Sequence, residues 1–136
     1  MTALLDTGVL LAAIAENDNQ HEISAIALEE EDDLLLPDVV VPELAYLLLR
    51  DVGYSVLVSF LKAVAGGELR LVPLTTDDLD RAAAILEQYA DARVDFVDCV
   101  IVAMAERLDI VRILTLDRRH FGLFRPRHCA AFVLLP

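Results

Sequence analysis

Four carboxylates stand at positions in this sequence where they could act together: Asp6, Glu43, Asp98 and Asp117. Carboxylates that meet in one place repel one another, so their pKa values rise unless a cation neutralises them. Mg²⁺ and Mn²⁺ prefer such oxygen ligands, and no His or Cys joins the set, which argues against zinc. A site of this kind suits phosphodiester hydrolysis, because a divalent ion polarises the phosphoryl oxygen and activates a bound water. One ion or two could act.

The helix that must carry Asp98 is predicted from Val94 to Leu108 and is apolar almost all the way round. A helix with that pattern is buried, and a carboxylate at the rim of a core needs a partner or a cation. Asp95 lies three residues before Asp98 and therefore on the same helical face. Either acid could simply cap the helix.

Short apolar runs alternate with helical patterns along the whole chain. Strands are predicted at 2–5, 34–37, 69–74, 111–116 and 130–135, and helices at 9–15, 21–31, 42–52, 55–65 and 94–108. A further helix follows the cap at 75–78, with an apolar face formed by Leu79, Ala82, Ala83, Leu86 and Tyr89. This order predicts an α/β fold with a short, mostly parallel sheet covered by helices on both faces.

In parallel sheets, ligands bind beyond the carboxyl ends of the strands. Asp6 and Asp117 follow predicted strands directly, and Glu43 opens the helix after the second strand, with Pro42 at its first position. These three acids therefore fall at one edge, and Asp98 joins them if its helix begins there. Taken singly, each acid is more simply a cap or turn residue. The convergence of the set favours a metal site.

Length, apolar runs and cysteine spacing limit the kinds of protein that this chain could be. The chain has 136 residues, enough for one domain covering 1–136. No apolar run reaches about 18 residues, so we expect no membrane span, and the absence of a basic N-terminal segment predicts a cytoplasmic protein without a signal peptide. Cys99 and Cys129 lack metal-ligand spacing and are interpreted as reduced thiols.

The net charge of −12 argues against a general nucleic-acid binder, which would usually be basic. The charge is uneven, however, because Arg118 to His128 contains four arginines and two histidines. This stretch is a candidate for phosphate contact, and a solvated surface loop explains it equally well.

Two other enzyme classes share part of the first motif, Leu5-Asp6-Thr7-Gly8. It is similar to the aspartic-protease motif, in which two such Asp residues share a proton. That fold is all-β, whereas this chain has long helical patterns. A haloacid-dehalogenase-type phosphatase would carry a second Asp where Gly8 stands.

Taken in order, four segments resemble the motifs of the PIN-domain ribonucleases, and most closely the VapC-like toxins of bacterial toxin–antitoxin modules. The segments are Leu4 to Ala12, Val41 to Leu44, Phe96 to Glu106 and Ile113 to Phe121. The resemblance spans the whole chain, and the fourth segment, Ile-Leu-Thr-Leu-Asp-Arg-Arg-His-Phe, is the most specific.

The resemblance implies a PIN-like three-layer sandwich and a Mg²⁺-dependent endoribonuclease, with Mn²⁺ as a possible substitute. Asp6, Glu43, Asp98 and Asp117 match the family's catalytic acids, and the first, third and fourth of these would hold the metal. Further positions match accessory or RNA-contacting roles. The accessory positions are Asp95, Thr7 and Thr115, and the RNA-contacting positions are Arg118, Arg119 and His120.

The resemblance also implies partners. Such toxins are usually homodimers silenced by a small antitoxin, and the apolar helices at 43–49 and 55–65 could wall the groove that receives it, although core packing explains their composition equally well. The alternative is a catalytically idle PIN scaffold that only binds a protein. All four acidic positions are filled, which favours an enzyme.

Overall fold

A five-stranded sheet forms the centre of the computed structural model, which describes all residues from Met1 to Pro136. Its strands are β1 (Thr2–Leu5), β2 (Asp33–Pro37), β3 (Arg70–Val72), β4 (Arg112–Leu114) and β5 (Val133–Leu135). The spatial order is β3-β2-β1-β4-β5, and every neighbouring pair is parallel. The sheet is therefore wholly parallel, and β1 lies at its centre, where a continuous apolar run is expected.

Seven α-helices connect the strands and cover the sheet. They are α1 (Thr7–Ile14), α2 (His21–Glu29), α3 (Val40–Asp51), α4 (Tyr54–Ala65), α5 (Thr76–Gln88), α6 (Phe96–Leu108) and α7 (Arg118–Leu123), with a short 3₁₀ helix at Ala90–Ala92. Helix α1 packs on α2 and α3, α3 on α4, and α5 on α6. Right-handed crossovers then place α1 to α4 on one face and α5 to α7 on the other.

Helix α6 is the most deeply buried helix and anchors the core. Every residue from Val97 to Ala105 is buried. Its first turn is capped by Asp95, whose carboxylate accepts a hydrogen bond from the Asp98 amide at 2.8 Å. At its other end, two ion pairs tie α6 to α5, formed by Arg81 with Glu106 and by Arg107 with Asp78. The helix is thus fixed at both ends and along its length.

Several local details differ from the sequence-based predictions. Helix α1 begins at Thr7, two residues early, because Asp6 supplies the cap. Pro42 is the third residue of α3 and not the first, a position that proline tolerates because first-turn amides have no helical acceptor. The start of the basic stretch from Arg118 to His128 forms the helix α7, whereas one interpretation of that stretch from the sequence is a solvated surface loop.

The predicted buried face of α5 is partly wrong. Ala82 and Ile85 are buried, whereas Leu79 is 43% exposed. The reason is that α5 packs against α6 through a narrow stripe centred on Ala82 and Ile85, and Asp78, paired with Arg107, is buried beside it. None of the helices combines the length and the apolar character needed to cross a membrane. The parallel α/β architecture excludes the all-β aspartic-protease fold.

Candidate active site at the carboxyl edge of the sheet

The centre of the candidate site is where β1 and β4 end side by side. Leu5 pairs with Leu114 across the two strands, so Asp6 and Thr115 follow next to each other. The Thr115 hydroxyl donates a hydrogen bond to Asp6 Oδ2 at 2.7 Å and accepts one from the Asp117 amide at 2.9 Å. Thr115 is therefore a buried link between the first and the fourth predicted acids.

Asp6 is a buried carboxylate at the N-terminus of α1. Its Oδ1 accepts a hydrogen bond from the Thr7 amide at 2.8 Å. Burial raises the pKa of Asp6 to about 6, and the charges of Asp95 and Glu43 add to that rise, while the bonds from Thr115 and Thr7 oppose it. A carboxyl group with this pKa is half protonated near pH 6 in the absence of a cation.

The pKa of Asp98 is raised further than that of Asp6. It is only 4% exposed, and no hydrogen bond reaches its carboxylate. Burial raises its pKa to about 9, and repulsion by Asp6, Asp95 and Asp117 contributes. Near neutral pH the metal-free acidic cluster therefore retains a proton, and a cation that displaces this proton would relieve the repulsion.

Asp117 and His120 form a pair on the first turn of α7. Asp117 caps the helix by accepting the His120 amide at 3.0 Å, and its Oδ2 lies 2.9 Å from His120 Nδ1. The same nitrogen lies 3.8 Å from Asp98 Oδ2. The expectation that no histidine joins the acidic set is therefore wrong. The missed signal is the three-residue spacing of Asp117 and His120, which places both on one face of α7.

Glu43 and Asp95 are exposed carboxylates that act on the buried acids through their charges. Both raise the pKa of Asp98 through charge repulsion, so their side chains share the same electrostatic environment. Glu43 lies in the first turn of α3 and makes no hydrogen bond or ion pair. Asp95 caps α6 through a structural contact, and its charge also acts on the buried acids.

The remaining predicted residues divide into engaged and free side chains. Thr7 is buried, and its hydroxyl has no hydrogen-bond partner. Arg118 donates to the backbone carbonyls of Leu134 and Pro136, so its guanidinium is occupied in tying α7 to β5. Arg119 is exposed and has no partner.

Most of the cationic side chains are engaged within the protein. The chain has 11 Lys and Arg residues, and those paired with carboxylates are Arg50, Arg70, Arg81, Arg107 and Arg112. Arg118 and Arg125 bind carbonyls. Two exposed cations without a partner adjoin the acids in sequence: Arg119 follows Asp117 by two residues, and Arg93, which was not identified from the sequence, precedes the Asp95 cap by two.

The edge fits a divalent cation. Asp98, Asp117 and His120 each offer one ligand atom, and these atoms all lie within 4.8 Å of one another. Asp6 is linked to Asp117 by the hydrogen bonds of Thr115. Its charge also raises the pKa of Asp98. The raised pKa values of Asp6 and Asp98 are what uncompensated carboxylates would show. This donor set can hold a metal ion.

Comparison with known proteins identifies the family. The sequence model of the PIN domain matches residues 3–123. The chain is 33% identical to ribonuclease VapC26 of Mycobacterium tuberculosis over 134 residues, which is 98% of this chain and 99% of that protein.

Solved structures share the fold at low sequence identity. The first is Mycobacterium tuberculosis VapC20, described as a toxin that cleaves the sarcin–ricin loop; its TM-score is 0.77 at 19% identity, covering 83% of this chain and 87% of that one. The second is a toxin–antitoxin complex from Klebsiella pneumoniae, with a TM-score of 0.72 at 17% identity, covering 90% and 92%. This chain belongs to the PIN domain family and, within it, to the VapC-like proteins.

Proposed function

We propose that this protein is a metal-dependent endoribonuclease, a toxin that hydrolyses RNA phosphodiester bonds and is neutralised by an antitoxin. The observation that carries the proposal is the meeting of Asp6, Asp98 and Asp117 at one sheet edge, with the pKa values of Asp6 and Asp98 raised. Membership in the PIN domain family and the identity with ribonuclease VapC26 support it.

We assign metal binding to Asp6, Asp98 and Asp117, with Mg²⁺ as the ion and Mn²⁺ as a substitute. When bound, such an ion stabilises the charge that develops on the phosphoryl group and lowers the pKa of water. Thr115 holds Asp6 and the backbone of Asp117 in place, and Asp95 fixes the first turn of α6 that carries Asp98.

Glu43 has a different role in this proposal. It is the one exposed acid of the four catalytic candidates, and no hydrogen bond or ion pair engages it. Its carboxylate is therefore free to accept a proton from a water that attacks the phosphate, as a general base. Thr7 is an accessory residue, because its buried hydroxyl at the start of α1 lies next to Asp6 and has no partner.

The function is tested by incubating a mixed RNA pool with the purified protein, once with Mg²⁺ and once with a chelator, and mapping the cut ends. We expect discrete internal cuts with Mg²⁺, none with chelator, and a loss of at least about 10³-fold for Asp6→Asn. Asp91→Asn is the matched control, because Asp91 is exposed in the 3₁₀ helix outside the acidic cluster. Mg²⁺-independent products, or no products, would refute the nuclease assignment.

RNA contact is assigned to the free cations beside the acids. We expect Arg119→Ala and Arg93→Ala each to weaken RNA binding about three- to tenfold and to lower the dependence of log K on log salt by about 0.7, because each removes one phosphate contact. Arg118→Ala should instead lower stability, since its guanidinium binds carbonyls. Binding is measured by fluorescence anisotropy on catalytically inactive protein at several salt concentrations; equal effects of Arg118→Ala and Arg119→Ala would contradict this assignment.

The protein partners follow from the same proposal. Exposed apolar side chains lie on and beside α3 and α4, and they are Tyr46, Leu49, Val52, Tyr54, Val58 and Leu61. An apolar patch of this kind is a feature of protein–protein contacts. We assign it to an antitoxin or to the second copy in a homodimer. The similarity to a toxin–antitoxin complex supports the first partner.

We further propose that residues 1–136 form one PIN-like domain that acts in the cytoplasm. A single cluster of buried hydrophobic residues supports the proposal of one domain, because it includes residues from every strand except β5. The free thiols of Cys99 and Cys129 are consistent with a reducing compartment.

A further inference from the structure

His120 lies inside the acidic cluster, although the family resemblance does not assign it as a metal ligand. Its Nδ1 faces two carboxylate oxygens, at 2.9 Å from Asp117 Oδ2 and 3.8 Å from Asp98 Oδ2. The ring is partly buried, with 23% of its side chain exposed. Because Nδ1 faces the acids, only Nε2 of this ring remains free for the RNA contact that the family resemblance implies.

The three ligand atoms lie within 4.8 Å of one another, close enough to converge on one small ion. Metal–nitrogen and metal–oxygen bonds of about 2.0–2.2 Å place neighbouring ligand atoms roughly 3.0–3.4 Å apart. The observed 2.9 Å and 3.8 Å lie on either side of that range, within about half an ångström. Side-chain rotation alone can close such a difference.

Asp98 is the third member of this group. Its side chain is almost fully buried, and its carboxylate accepts no hydrogen bond. When this group is ionised, a cation beside it offsets the cost of burying its charge. The nearest positively polarisable group is the His120 ring, at 3.8 Å, which is too far for a hydrogen bond.

We propose that His120 Nδ1 is a ligand of the divalent ion together with Asp98 and Asp117, and that it raises the affinity of the site for Mn²⁺ and later first-row ions relative to its affinity for Mg²⁺. Imidazole suits these transition metals, whereas Mg²⁺ prefers an all-oxygen shell. The inference rests on the proposed function only in placing the ion at this edge.

The contacts of His120 in the metal-free protein are compatible with this role. Nδ1 now bonds to Asp117 Oδ2, which requires the proton on Nδ1. On ion binding the neutral ring carries its proton on Nε2, and the Nδ1 lone pair is freed for the metal. The hydrogen bond keeps Nδ1 directed into the acidic cluster, and Asp117 Oδ2 must move aside for an ion to reach the Nδ1 lone pair.

The first test is pulsed electron paramagnetic resonance of Mn²⁺ added to the whole protein without RNA. We expect a directly bound ¹⁴N signal in the wild type, its loss in His120→Asn, and its retention in His21→Asn. The control is matched in chemistry, because His21 lies at the start of α2 and bonds to the Ala12 carbonyl outside the acidic cluster. The absence of nitrogen coupling in the wild type would overturn the inference without any variant having to fold.

The second test is calorimetric titration of the same proteins with Mn²⁺ and with Mg²⁺. We expect His120→Asn to lower the ratio of Mn²⁺ to Mg²⁺ affinity about tenfold, because an amide oxygen replaces the imidazole nitrogen. An unchanged ratio overturns the inference. If Mg²⁺-dependent RNA cleavage persists in that case, the proposed function stands; if the wild type binds neither ion, both fail.

Discussion

Asp98→Asn is expected to abolish ion binding and reduce RNA cleavage by at least about 10³-fold, while making the metal-free protein more stable at pH 8. The stabilisation arises because the pKa of Asp98 is about 9 in the folded protein, against an ordinary value of 3.8. Between these two values the unfolded chain is deprotonated and the folded chain is not, so stability falls as the pH rises. An asparagine side chain does not titrate in this range, so the substitution removes the penalty.

The gain should be at least about 2 kcal/mol at pH 8, since each pKa unit corresponds to about 1.4 kcal/mol, and it should disappear near pH 4. Urea unfolding with chelator present, repeated across this pH range, measures it. Asp95→Asn is the comparison, because asparagine also caps helices and the residue is exposed. An Asp98→Asn variant that still binds Mg²⁺, or that is no more stable than the wild type at pH 8, would show that Asp98 is not the central ligand.

Thr115→Val is expected to weaken ion binding about 10- to 100-fold, although Thr115 is not itself assigned as a ligand. The change keeps the shape of the side chain but removes the donor to Asp6 Oδ2 and the acceptor for the Asp117 amide. Two buried polar groups then lack partners, so the free energy of unfolding should fall by about 1–3 kcal/mol. The pKa of Asp6 should rise further above 6, because the Thr115 bond lowers it.

Calorimetry with Mg²⁺ and urea unfolding at pH 7 measure the two effects of Thr115→Val. Thr2→Val is the matched control, since Thr2 begins β1 and its hydroxyl donates to Asp33 at 3.1 Å, at the opposite edge of the sheet. The control should leave ion affinity unchanged. Equal ion affinities for Thr115→Val and the wild type would mean that Asp6 and Asp117 are oriented without Thr115.

The position of the acids at one edge of the sheet could be predicted from the sequence, because it follows from the order and direction of the strands. Apolar runs followed by Asp6 and Asp117 predict parallel strands ending at one edge, and β1 and β4 are adjacent there. Asp98 could be placed only conditionally, since its position depends on where α6 begins. The cap formed by Asp95 settles that point, and sequence alone does not distinguish a cap from a ligand.

The histidine and the arginines were less accessible because their roles depend on contacts distant along the chain. His120 joins the cluster only because the six residues of α7 are helical, and its three-residue spacing from Asp117 indicates this only once a helix is assumed there. Arg118 and Arg119 are adjacent residues of the same type, so the sequence gives no reason to assign them different roles. Only the position of β5 shows that Arg118 is bound to the carbonyls of Leu134 and Pro136.

The burial of α6 has a consequence for how such a protein can be switched off. The residues from Val97 to Ala105 are all buried, so Asp98 cannot be displaced without disturbing the core. Inactivation by deformation would therefore require a large part of the unfolding free energy, typically about 5–15 kcal/mol for a domain. A partner that covers the open edge, where Glu43 is exposed, leaves the core intact. Occlusion is the form of control that this architecture permits at low energetic cost, and it is reversible, because the catalytic geometry remains assembled beneath the partner.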